Sequence, residues 1–99
     1  TIADGMRTKP VGALTGPVIA ELLDRPVLSV SDDEIRAAMR LIMERLKVVV
    51  EPSGATSLAG AVKLLQERGV PSACPRAGPP YRVGVILCGG NLDLEPYGL

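Results

Sequence analysis

Residues 83–91 read Val-Gly-Val-Ile-Leu-Cys-Gly-Gly-Asn, and no other stretch restricts the possible folds as much. The apolar run Val83 to Leu87 suits a strand covered on both faces, as in a parallel sheet. It stops abruptly at Cys88-Gly89-Gly90-Asn91. A turn needs at most one glycine, whereas two in succession let a backbone approach a ligand closely. In open α/β sheets ligands sit beyond the carboxyl ends of strands, and Cys88 stands at such an end. Two readings of Cys88 remain side by side: a small buried hydrophobe, the commonest fate of a free cysteine, or a thiol that faces a ligand.

The elements before it alternate in type. Residues 1–13 read as a loop. Thr15-Gly16-Pro17 has the hydroxyl and early proline of a helix start, and Val18, Ile19, Leu22 and Leu23 give that helix an apolar face. Asp24-Arg25-Pro26 ends it, and Val27 to Val30 is a short strand. Ser31-Asp32-Asp33-Glu34 matches a capping box. Ile35, Ala38, Met39, Ile42, Leu46 and Val49 follow at helical spacing. One helix stops and another begins near Glu51-Pro52. In the second, Leu58, Ala61, Val62 and Leu65 repeat helically, with Gly69 at the position after its end. Small residues at 54, 55 and 59–61 make this helix thin enough for a neighbour to pack closely. Prolines 71, 75, 79 and 80 mark residues 69–80 as a surface loop. The order helix, strand, helix, helix, strand predicts an open α/β fold. Two strands alone make a poor sheet, so the pattern suits part of a larger three-layer body.

Composition removes several functions. Eleven basic and eleven acidic residues cancel, leaving no basic footprint for nucleic acid. Tyr81 and Tyr97 are the only aromatic residues, so there is no stacking platform for single strands. No apolar run approaches the roughly 20 residues of a membrane span. The start has neither the basic nor the apolar region of a signal peptide, and cytosol is the default setting. Cys74 and Cys88 are too few for a disulfide framework or a metal cluster.

Two further places could carry chemistry. Glu51 follows three valines. Its carboxylate either favours the dipole of the next helix or points into a cleft. Asp4-Gly5 is in isolation a turn signal.

Taken together these stretches say more. "TIADG" at 1–5, "VSDDEI" at 30–35, "ERLKVVVEPSGA" at 44–55 and "VGVILCGGN" at 83–91, in this order and spacing, resemble fold-type II pyridoxal-phosphate enzymes. Within that family the chain is similar to the serine racemases and biodegradative threonine/serine ammonia-lyases. The resemblance implies that residues 1–99 are the C-terminal portion of the cofactor-binding catalytic domain. That domain is the large, open three-layer α/β domain of tryptophan-synthase-β-like enzymes, incomplete in this chain. It implies pyridoxal 5′-phosphate as cofactor, L-serine or L-threonine as substrate, the remainder of the catalytic domain as partner, and a homodimer. Cys88 matches a Ser or Cys that hydrogen-bonds the ring nitrogen, followed there too by the equivalents of Gly89, Gly90 and Asn91. Glu51 matches a position on the 3′-hydroxyl side of the ring, and Gly5 a small residue against one ring face. In the racemases Lys47 and Asn91 match contacts of a nucleotide activator, ATP, which acts there beside Mg2+.

A thiol of ordinary pKa about 8.5 can donate a hydrogen bond to a ring nitrogen but cannot hold it protonated as an aspartate would. That implies a moderate electron sink, suited to early loss of a β-hydroxyl group. The lysine that carries the cofactor, in an S-x-K context, the glycine-rich phosphate loop and the serine base are expected upstream. Lys9, Lys47 and Lys63 all lack that context, and two glycines at 89 and 90 are too short for a phosphate cradle. The chain alone is therefore expected to be inactive, with no catalytic residue and no metal ligand of its own. The Lys9-Pro10-Val11 stretch departs from the family by what resembles a one-residue insertion. Leu14 falls near a position that lines the metal site in some relatives. The alternative is a non-catalytic, truncated paralogue that keeps these motifs as packing in a binding or assembly module.

Overall fold

The computed structural model describes residues 1–8, 10–23, 27–68 and 82–97. They form a 3-10 turn (Asp4–Met6), helices α1 (Thr15–Leu22), α2 (Asp32–Leu46) and α3 (Pro52–Arg68), and a second 3-10 turn (Glu95–Tyr97). Lys9, the Pro26 stop, Gly69, Cys74 and the proline-rich stretch 70–80 lie outside the described residues.

Helix α2 begins where the capping box places it. The Ser31 hydroxyl accepts from the Glu34 N–H (3.2 Å), and the Glu34 carboxylate accepts from the Ser31 N–H (2.6 Å). Lys63 on α3 also reaches Glu34 (3.3 Å) and donates to the Ser29 carbonyl (2.9 Å). The Ser31 N–H, and after it Lys63, hold the Glu34 carboxyl below the ordinary glutamate range. At the chain's start the Thr1 hydroxyl (2.5 Å) and the Ile2 N–H (3.1 Å) both donate to Asp32. The Thr1 hydroxyl is the main reason that the Asp32 carboxyl is also pulled down.

Helices α2 and α3 pack against each other, and the core lies between them. Ile35, Met39 and Ile42 are buried on α2, opposite Ala55 and Ala59 on α3; Ala3 and Val50 close the ends. Burying each large aliphatic side chain contributes about 1.5–3 kcal/mol. The small residues of α3 let α2 come close, as their spacing predicts. Ile2, Val30, Leu58, Leu87 and Leu92 pack around this core, so the 83–92 stretch is anchored to the helix pair at Leu87 and Leu92.

The described residues contain no strand, so the sheet expected of Val27–Val30 and Val83–Leu87 is not formed among them. The Ser29 carbonyl accepts from Lys63 and the Ile86 carbonyl from Ser57. Two expectations are corrected. Helix α2 ends at Leu46, so Val49 is not on its face. Lys47 turns left-handed (φ 59°) and caps the helix, and the β-branched triplet 48–50, poor in helix propensity, continues non-helically. Thr15 is the first residue of α1 rather than its cap, and its hydroxyl donates back to the Gly12 carbonyl (3.4 Å). The apolar face of α1, present as expected, lies open: Val18, Ile19 and Leu22 are all exposed.

Candidate functional site

Helix α3 starts at Pro52, a residue suited to a first helical turn because it has no N–H to leave unpaired. That start holds Glu51 just outside the helix. Its carbonyl accepts from the Ala55 N–H (3.0 Å), so its backbone serves as the cap. Its side chain goes elsewhere. The carboxylate accepts from the Asn91 N–H (3.3 Å), while the Glu51 N–H donates to the Gly89 carbonyl (3.1 Å). The Glu51 carboxylate is thus turned toward the 89–91 segment.

The glycines around it are there for space. Gly89 has φ +81°, a left-handed conformation that glycine adopts without strain. A Cβ on it would lie 2.5 and 2.7 Å from the two carboxylate oxygens of Glu51. A Cβ on Gly90 would lie 3.2 Å from the Val49 carbonyl oxygen. Gly5, in the first 3-10 turn, faces the same place: its Cβ would stand 2.8 Å from Ser53 Oγ and 3.6 Å from Glu51 Oε1. Three glycines thus leave bare backbone around one half-buried carboxylate. Beneath Gly5, Ser53 Oγ is buried and has no hydrogen-bond partner among the described residues.

Four of the expected site residues, Gly5, Glu51, Gly89 and Gly90, therefore meet at the start of α3, and Asn91 joins them through its N–H. Cys88 is next to them in the chain, with an exposed side chain. Lys47 does not join the group. It is exposed at the end of α2, with its ammonium on the Glu44 carbonyl (2.7 Å). No group of three or more His, Cys, Asp or Glu residues that could hold a metal occurs among the described residues. No described helix is long and apolar enough to cross a membrane.

Three residues of this site were missed as such: Ser53, Gly54 and Ser57. The run Ser53-Gly54-Ala55-Thr56-Ser57, five small residues straight after Glu51-Pro52, was the available signal. Gly54 is the tightest point. A Cβ there would overlap the Cys88 carbonyl oxygen and lie 2.9 Å from its carbon.

The model of the family described as "pyridoxal-phosphate dependent enzyme" matches residues 1–89. The chain belongs to that family. Among curated members, it is 43% identical over 98 residues to an L-threo-3-hydroxyaspartate ammonia-lyase of Pseudomonas sp, covering 98% of this chain and 27% of that protein. It is 43% identical over 97 residues to the serine racemase of Dictyostelium discoideum, covering 96% and 26%. The crystal structure of that racemase superposes with a TM-score of 0.74 at 42% identity, over 95% of this chain and 27% of the other. This pyridoxal-phosphate enzyme chain therefore has the tryptophan-synthase-β-like fold over the matched stretch. It spans about a quarter of the length of the curated relatives that it matches.

The bare glycine backbone at Gly5 and Gly89 lies against the Ser53 hydroxyl and the Glu51 carboxylate, and the buried Ser53 hydroxyl has no hydrogen-bond partner among the described residues. These are polar groups of the kind that a pyridoxal phosphate ring edge would meet. An anionic phosphate would need a separate set of backbone donors.

Proposed function

We propose that residues 1–99 are the C-terminal portion of the catalytic domain of a serine/threonine ammonia-lyase or serine racemase, supplying the ring-edge wall of its pyridoxal phosphate site. The observation that carries this reading is the meeting of Gly5, Glu51, Gly89 and Asn91 at one helix start, from segments more than 30 residues apart. The similarity to racemases and hydroxyaspartate ammonia-lyases supports the reaction class. The open apolar faces support a larger body around this one: Ile86 is 80% exposed and Leu22 72%. Large aliphatic side chains so exposed and so numerous suit surfaces that a neighbour covers. In that body, Val83 to Leu87 is a strand of the open sheet.

When bound, pyridoxal phosphate supplies an electron-withdrawing ring that labilises bonds at the substrate α-carbon. Cys88 would be the residue to hold the ring nitrogen, its thiol able to donate a hydrogen bond without fixing a proton there, with Glu51 offered to the hydroxyl side of the ring and Gly5 to one face. Serine, threonine and 3-hydroxyaspartate share a β-hydroxyl group, and any of the three is a substrate compatible with this wall. The same reading includes a cytosolic homodimer, Mg2+ and ATP as activators, and Lys47 and Asn91 as the residues that this chain offers the nucleotide.

Kinetics of the full-length protein test it. With pyridoxal phosphate, 2-oxo acid and ammonia should form from L-serine, L-threonine or L-threo-3-hydroxyaspartate, or D-serine from L-serine. Robust turnover by the 99-residue chain alone would show that the roles are wrongly assigned.

A further inference from the structure

Cysteine has a single heavy-atom side-chain torsion with three staggered wells. Its sulfur therefore lies where its backbone puts it, within a few discrete choices. What fixes the backbone of Cys88 is thus as important to the ring nitrogen as the thiol itself. This step rests on the reading that Cys88 meets the ring.

Two residues of α3 mount that backbone directly. The Ser57 hydroxyl lies 2.6 Å from the Ile86 carbonyl oxygen and 3.1 Å from that of Gly54. It has one proton to give, and the shorter contact is with Ile86, two residues before Cys88. Gly54 is in direct backbone contact with the Cys88 carbonyl. A side chain there would collide with that carbonyl on one side and with Val50 Cγ1, at 2.7 Å, on the other. The helix backbone is thus a stop against which the Cys88 peptide rests, and Ser57 ties the peptide down one turn further along α3.

We propose that Gly54 and Ser57 are positioning residues: they set the depth and direction at which the Cys88 thiol meets the cofactor ring, through its backbone, without touching the ring. The Ser57 hydroxyl fixes the approach of the segment, and the missing side chain at Gly54 fixes its closest distance. Neither residue changes the chemistry of the thiol.

The test uses full-length holoenzyme with Ser57→Ala, Ser57→Thr and Gly54→Ala. Two readouts besides turnover are followed: cofactor affinity with its absorption maximum, and the rate at which iodoacetamide alkylates Cys88, identified by peptide mapping. In the unaltered protein, cofactor at about ten times its Kd should slow alkylation of Cys88 roughly tenfold. Ser57→Ala should weaken cofactor binding about three- to tenfold, the effect of one hydrogen bond, shift the absorption maximum and reduce the protection. Ser57→Thr keeps the hydroxyl and should restore all three. Gly54→Ala should exceed Ser57→Ala, by about tenfold or more for an overpacked contact. If Gly54→Ala fails to fold, Ser57→Ala, which removes only a hydroxyl from an exposed side chain, decides alone. Unchanged protection, affinity and spectrum in Ser57→Ala overturn the positioning role. No protection of Cys88 in the unaltered protein overturns the ring contact itself, and the positioning role with it.

Discussion

The first turn of α2 and the segment 88–91 are both short, polar stretches, yet they are held differently. The α2 start carries its own cap, Ser31 and Glu34 satisfying each other's backbone amides within four positions, to which Thr1, Ile2 and Lys63 add contacts from afar. The 88–91 segment is held from afar, by Glu51, Gly54 and Ser57 across intervals of about 30 to 40 residues. Local pairing gives a feature that survives changes elsewhere. Distant clamping gives a feature whose shape is lost when any one clamp is altered.

Removing core volume should have the largest effect and should not spare either region. Ile42→Ala should cost about 2–5 kcal/mol, seen as a large fall in the unfolding midpoint of the full-length protein. Both regions should fail together, because both rest on the same α2–α3 core. Gly89→Ala should destabilise less, by about 1–2 kcal/mol for the left-handed conformation, with an added collision against Glu51. Its loss should fall on cofactor binding while amide exchange in α2 stays unchanged. Gly90→Ala, with more room, should be milder than Gly89→Ala in the same assay. If Gly89→Ala instead speeds exchange throughout α2, the two regions are not separate.

Ser31→Ala removes the local cap at a cost of about 1 kcal/mol. It should speed amide exchange over Asp33–Ile35 and leave cofactor affinity unchanged. The smallest expected effect is pH dependence. Glu34 titrates below its ordinary value of 4.5. Its contribution is therefore complete above that value and lost as pH falls through the lower folded value. Protection over the first turn of α2, corrected for the intrinsic exchange rate, should start to fall only once pH drops below 4.5 in the unaltered protein. The fall should shrink in Glu34→Gln.

The same division explains what could be read from the residues alone. The capping box is a four-residue pattern with its own hydrogen-bond geometry, so α2 was legible at its start. Its end was less so, because Val49 continued the apolar spacing past the point where Lys47 turns left-handed. Gly5, Glu51, Gly89 and Gly90 could be named from family resemblance, and bare backbone was foreseeable at the paired glycines. Ser53 and Ser57 were not, because a hydroxyl on a helix has no meaning until its partner across the gap is known. The thinness of α3 was visible; that the thing pressed against Gly54 is the Cys88 carbonyl was not. The two strands were expected from β-branched and aliphatic runs, but pairing is a relation between segments, and the described residues provide no pair.

Glu51 touches the 88–91 segment through both its backbone and its side chain. Residues 51–57 and 86–91 therefore form one exchangeable unit. A chimera that takes either segment from a relative should work only when the other comes with it, so compensating differences between homologues should accumulate across this seam rather than along either segment alone.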